Sequence, residues 1–125
     1  MQVNVNSQFL TVRAFFPLLE AAAHGSIVFT SSGVGRTGRA YWGAYSVSKF
    51  ATEAMMQILA SETENVSGLR VNVINPGGTN TAMRRAAFPG EQPEDNPSPD
   101  AIMATYLYLM DDASLACTGL SFDAQ

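Results

Sequence analysis

The stretch SIVFTSSGVGRTGRAYWGAYSVSKF, residues 26–50, carries the pattern that decides the fold. Its first five residues, Ser26–Thr30, form a short apolar run, which predicts a strand buried on both faces, as in a parallel sheet. Residues 31–43 are rich in Gly and Ser and predict a loop. From about Ala44 to Thr63 apolar residues return at helical spacing. Phe50, Ala54 and Ile58, with Ala51, Met55 and Leu59 one position round, are the expected apolar face. Strand, loop and long helix make the unit from which parallel sheets are built.

The flanking segments continue the alternation. Before the strand, Phe9, Val12, Phe16 and Leu19 recur at helical spacing and an Ala run sustains the helix. Pro17 removes one hydrogen bond and is expected to bend that helix; Gly25 ends it, with His24 in its last turn. Beyond the long helix, Arg70–Ile74 predicts a second strand, stopped by Asn75-Pro76-Gly77-Gly78. Residues 85–99 carry many Pro, Gly and acidic residues and predict a mobile loop. Ala101–Met110 predicts a short helix with Ser98 or Asp100 near its cap, and Gly119–Asp123 a last short strand. The fold class is therefore α/β, a parallel sheet with helical crossovers. The first element is a helix with no strand before it, and such a small parallel sheet with an open edge is a poor independent domain. The expectation is that residues 1–125 are a single partial domain, a fragment lacking its first strands.

The 125 residues carry a net charge of −4, with 46% hydrophobic and 14% charged residues. The acidic balance offers no basic patch for phosphates and argues against nucleic-acid binding. Cys117 is the single cysteine, so no intrachain disulfide can form, and a reducing, cytoplasmic setting is the simplest fit. No apolar run is long enough to span a membrane, which argues against a membrane partner. One cysteine and one histidine, His24, support neither a metal site nor a Ser-His-Asp set.

The chain has seven basic residues, and Lys49 is its only lysine. It lies four residues after Tyr45, so on a helix the two side chains share a face. A neighbouring ammonium favours the charged form of a tyrosine hydroxyl and fits it to exchange a proton near neutral pH. Ser32 follows the first strand and Asn75–Thr81 follows the second. Both loops would open at the edge where parallel sheets place their ligands, beside the start of the Tyr45 helix. Arg36, Arg39 and Trp42 precede Tyr45 and either shape a substrate site or form an ordinary solvated loop.

Val3-Asn4, Ser32, Tyr45-Ser-Val-Ser-Lys49 and Pro76-Gly77 followed by Thr81 occur in the order and spacing of a known family. Over essentially its whole length the chain resembles the C-terminal, catalytic half of a short-chain dehydrogenase/reductase, most closely a bacterial subgroup of oxidoreductases of unassigned substrate. The resemblance implies a Rossmann-like, doubly wound parallel sheet and hydride transfer between NAD or NADP and a small-molecule carbonyl or alcohol. It implies Tyr45 as general acid or base and as a cofactor contact, and Lys49 as the group that tunes Tyr45 and holds the nicotinamide ribose. Ser32 would polarise the substrate carbonyl. The Asn4 carbonyl would hold a water that relays protons. Pro76, Gly77, Gly78 and Thr81 would hold the nicotinamide carboxamide. It further implies a homodimer or homotetramer of the full-length protein, through wide apolar helix faces that include Phe15, Phe16, Met55 and Ile58.

The family's Gly-rich turn after a first strand and its Asn-Asn-Ala-Gly-like segment do not occur here, so the dinucleotide-binding N-terminal half is expected to be absent. Gly33-Val-Gly35-Arg-Thr-Gly38 satisfies the glycine spacing of a dinucleotide fingerprint but opens no helix. An alternative function follows: a truncated chain without turnover that serves only as a dimerisation or interaction segment.

Overall fold

The computed structural model describes all residues, Met1–Gln125. A π-helical turn, Gln2–Asn6, leads into α1, Ser7–Ala21. Strand β1, Ser26–Thr30, follows, then a 3-10 turn at Gly33–Gly35 and the long helix α2, Gly43–Thr63. After β2, Arg70–Asn75, come the short α3, Ala82–Ala87, the helix α4, Met103–Met110, and β3, Ser121–Asp123. The three strands are all parallel, in the order β1-β2-β3. Ser26 lies opposite Arg70 and Thr30 opposite Ile74, so the C-terminal ends of β1 and β2 come out together.

The central strand carries the core. Val71, Val73 and Ile74 are fully buried, each worth about 1.5–3 kcal/mol relative to an exposed side chain. On one face Val71 and Val73 pack with Phe29, Met56, Ala60 and Leu69, and Val12, Phe16, Leu19, Met55 and Leu59 close over them from α1 and α2. The other face receives α4, which packs on β1 and whose Leu109 carbonyl accepts the Ser26 hydroxyl at 2.8 Å. Helices thus cover both faces, as in a doubly wound sheet. Buried Asn72 bonds the Cys117 carbonyl at 2.8 Å and accepts the Leu120 amide at 3.1 Å, which docks the approach to β3 onto β2. Buried Arg70 donates to the Asp111 carbonyl at 2.9 Å and the Ser114 hydroxyl at 2.6 Å.

The structure corrects several expectations. In β1 only Phe29 is buried; Ile27 and Val28 are half-buried and Thr30 is exposed, because β1 is the edge of the sheet. The inward face of α2 is mixed, with Met55 and Leu59 packed on the core as expected and the Phe50–Ala54–Ile58 side turned out. Ser46, Ser48, Lys49, Thr52, Glu53, Met56, Ala60 and Thr63 are buried, whereas Phe50 and Ile58 face outward. Small hydroxylated side chains let α2 approach the sheet closely and return their O–H groups to helix carbonyls: Thr52 to Ser48 at 3.1 Å and Thr63 to Leu59 at 2.9 Å. On α1, Phe9 is exposed while Val12, Phe16 and Leu19 keep the inward spacing. His24 lies beyond α1 and its Nδ1 stands 2.8 Å from Asp112. The segment expected as an irregular loop, 85–99, begins with the last turn of α3 and contains a 3-10 turn, Pro93–Asp95.

Candidate active site

Parallel pairing brings the ends of β1 and β2 and the start of α2 to one edge. Tyr45 stands in the first turn of α2 and Lys49 one turn later. The Lys49 amine donates to the Thr30 carbonyl at 2.9 Å, just where β1 ends, and lies 5.7 Å from the centre of the Tyr45 ring. Burial holds the Lys49 pKa below its ordinary 10.5. An ammonium has three N–H donors, so two remain after the Thr30 bond.

Gly35 makes this closeness possible. A methyl group there would sit 2.7 Å from the Ser31 hydroxyl, 2.8 Å from Lys49 Cβ and 2.9 Å from the Lys49 backbone. The 3-10 turn therefore lies flat against α2 at the lysine, and the Ser46 hydroxyl binds the Val34 carbonyl at 2.6 Å. This turn also settles the glycine run: Gly33 to Gly38 opens no α-helix, since α2 starts only at Gly43.

Asn4 sits in the π-helical turn, and its amide donates to the Ser48 hydroxyl at 3.1 Å. That hydroxyl in turn donates to the Tyr45 carbonyl at 2.7 Å, so Asn4 is tied to the Tyr45–Lys49 turn. Ser32 is extended, half-buried, and its carbonyl takes the Gly35 amide at 2.8 Å. Its hydroxyl does not cap the turn that follows.

On the neighbouring loop, Gly77 takes a positive φ of 72°, open to glycine at little cost. Its amide binds the Asn75 side chain at 3.1 Å. The Gln125 amide bridges the carbonyls of Pro76 at 2.6 Å and Gly78 at 2.8 Å, holding both sides of the turn. Thr81 caps α3, its hydroxyl oxygen accepting the Arg84 amide at 3.1 Å. The fold thus gathers Asn4, Tyr45 and Lys49 directly, and sets Ser32 and the Pro76–Thr81 loop on the same edge.

Three features were not legible in the sequence. Arg36 is neither a solvated loop residue nor a free cation. It pairs with buried Glu53 at 3.2 Å and Asp123 at 2.8 Å, and Glu53 also accepts the Ser121 hydroxyl at 2.9 Å. The Gln125 bridge likewise joins residues 49 and 47 positions apart, and no local pattern announces either contact. The third is an aromatic run: Trp42 lies 5.7 Å from Tyr45 and 5.8 Å from Phe88, ring centre to ring centre. Thr81 followed by Ala82-Met-Arg-Arg-Ala-Ala was a readable helix start that would have placed Phe88 at its end.

Residues 1–92 match the short chain dehydrogenase family. This chain belongs to that family. The short-chain dehydrogenase chain is 59% identical over 125 residues to the uncharacterized oxidoreductase YciK of Escherichia coli strain K12, covering 100% of this chain and 49% of the relative. It superposes with a TM-score of 0.95 on a short-chain dehydrogenase from Shigella flexneri complexed with NADP, at 58% identity, over 99% of this chain and 51% of that one. A short-chain dehydrogenase from Escherichia coli CFT073 complexed with NADPH gives a TM-score of 0.95 at 59% identity, over 99% and 51%. The chain spans about half the length of the relatives it matches. No helix of this short-chain dehydrogenase is long and apolar enough to cross a membrane.

Proposed function

We propose that the protein containing this chain is an NAD(P)-dependent oxidoreductase that interconverts a small-molecule carbonyl and alcohol, with Tyr45 as general acid or base. One observation carries the reading. The chain's only lysine is buried, fixed on Thr30, and turned to the Tyr45 ring at 5.7 Å. A buried cation beside a phenol stabilises negative charge as it develops on the phenol oxygen, and that charge appears when Tyr45 gives up its proton.

The residues fit a nicotinamide nucleotide. Lys49 keeps two N–H donors for sugar hydroxyls. The Thr81 hydroxyl accepts from Arg84 and retains its own proton to donate. The Pro76–Gly78 turn is fixed by Gln125 through the carbonyls of Pro76 and Gly78, and the carboxamide would lie against this braced loop. A bound nicotinamide would supply or remove the hydride. Ser32 would donate to the substrate carbonyl oxygen, and Tyr45 would protonate it. Asn4, tied to the Tyr45 turn through Ser48, would use its backbone carbonyl to hold a relay water beside Lys49. The NADP and NADPH complexes of similar structures favour the phosphorylated cofactor. Adenosine and pyrophosphate would bind outside these 125 residues, which supply the catalytic half.

Association into a homodimer or homotetramer is part of the same reading, and a cytoplasmic setting suits it. Phe15 and Ile58 are 54% and 59% exposed on α1 and α2. Phe16 and Met55, expected beside them, instead pack partly on the core. The test is Tyr45→Phe in the full-length protein. Turnover should fall by at least about 10²-fold, while NADPH binding stays within a few-fold. Unchanged turnover would refute the proton-transfer role.

A further inference from the structure

Beside Tyr45 lies a segment with its own architecture. The Asn80 amide donates to the Pro97 carbonyl at 2.8 Å, so residues 80–97 form a loop whose ends meet. Inside it, Arg84 pairs with Glu91, Asn96 donates to Glu91 at 3.0 Å, and Arg85 donates to Asn80 at 2.7 Å. The Arg84 guanidinium also stacks on Phe88, 3.8 Å from the ring centre. These polar groups are occupied with one another. What the segment turns toward the active-site edge is Phe88, in contact with Trp42 at 5.8 Å and a 35° tilt. Trp42 in turn touches the Tyr45 ring at 5.7 Å and 52°.

We infer that Trp42 and Phe88 form one wall of the substrate site, and that the substrate is an aryl carbonyl, an aldehyde or ketone whose carbonyl carbon bears a flat ring. The inference rests on Tyr45 being the proton donor. A carbonyl oxygen hydrogen-bonded to Tyr45 places its substituent within reach of Trp42, because the two rings are neighbours. Two tilted aromatic faces present electron-rich surfaces that an aromatic ring meets in offset or edge-to-face packing, and a saturated ring of equal size does not. That preference corresponds to about a 2- to 13-fold difference in affinity. Arg84 and Glu91 neutralise each other, so the cation stacked on Phe88 is already paired.

Trp42 is the only tryptophan in these residues and reports on its own site. In the full-length protein, its emission is isolated as the difference between the wild type and Trp42→Phe. Titration with acetophenone should quench it saturably, with an apparent affinity about 2- to 13-fold tighter than that of cyclohexyl methyl ketone. Phe88→Ala should weaken the acetophenone quench by about 2- to 13-fold. It should lower kcat/KM for benzaldehyde by a similar factor and leave the value for cyclohexanecarbaldehyde within about 2-fold. Linear, unsaturable quenching would overturn the inference, as would equal losses on both aldehydes. Should neither aldehyde turn over, the quench decides alone. Tyr45→Phe separates the two readings: it should abolish turnover and keep the quench. Wild-type turnover in that variant would defeat the proton-transfer role, while the saturable quench would still decide the aromatic wall.

Discussion

Lys49 pays for its position with part of its basicity, and that yields a pH signature. Burial lowers its folded pKa from 10.5. Between the lowered value and 10.5 the unfolded chain therefore holds more protons than the folded one, and stability rises with pH across that window. Below the folded value the penalty is present in full. Lys49→Met has no such titration. Urea unfolding of both full-length proteins should show the wild type gaining on the variant as pH climbs from neutral toward 10.5; a gap that is constant or narrows the other way would contradict the burial. Gly35 is the second residue on which the site depends. Gly35→Ala brings a methyl group within 2.9 Å of the Lys49 backbone, where no flexible side chain can yield. The expected loss is about 1–3 kcal/mol, read as a lower denaturation midpoint, with a raised KM for cofactor if Lys49 is displaced. Tyr45 and Lys49 were legible from the sequence because their relation is local, a single turn of one helix. Gly35 was not. Its constraint comes from a helix that begins eight residues later, at Gly43, and only the assembled fold brings Lys49 against it.

At the scale of the elements, α2 shows where periodicity misleads, since only the Met55–Leu59 side of its expected apolar face packs on the core. Its apolar stripe was readable, but the stripe with Phe50 and Ile58 faces away from the core, and the hydroxylated stripe faces in. Binary patterning assumes that the interior takes the greasier face. Here the interior side must lie close to a turn and a strand end, which favours small side chains whose hydroxyls bond locally. Thr52 illustrates the consequence. It is fully buried, and its hydroxyl sits 3.1 Å from the Ser48 carbonyl and 3.0 Å from the Gln8 side chain on α1. Thr52→Val keeps the volume and removes the polar link between the helices. The expected cost is about 1–2 kcal/mol, whereas Ile58→Ser on the outer stripe should leave the folding of a single subunit within about 0.5 kcal/mol. Equal effects at the two positions, measured by urea unfolding under conditions that keep subunits apart, would contradict this assignment of inner and outer faces. The strands were legible because β1 is a short apolar run and because the Val-Asn-Val-Ile stretch of β2 is cut off by Asn75-Pro76-Gly77-Gly78. The half-exposure of β1 goes with the open sheet edge that a first helix without a strand before it implies.

At the scale of the whole molecule, the unpaired edge of β1 and the outward stripes of α1 and α2 decide how these residues behave by themselves. Phe9, Leu10, Phe15 and Leu18 on α1 are 54–69% exposed, and Phe50 and Ile58 on α2 are 44% and 59% exposed. A strand edge with free backbone donors and acceptors invites pairing, and apolar faces of this extent invite association. A polypeptide of residues 1–125 alone is therefore expected to be poorly soluble or loosely packed. Differential scanning calorimetry and light scattering should show a broad, concentration-dependent transition with aggregation, and a sharp cooperative melt of a soluble monomer would refute the expectation. The two sources of association are separable. Phe50→Glu with Ile58→Glu places charges on α2 alone and should reduce self-association of the full-length protein through its helices, seen as a lower mass by analytical ultracentrifugation. The same pair in the polypeptide of residues 1–125 leaves the β1 edge bare and should reduce aggregation only in part. Complete rescue to a monomer would place the whole liability on the helices and none on the sheet edge.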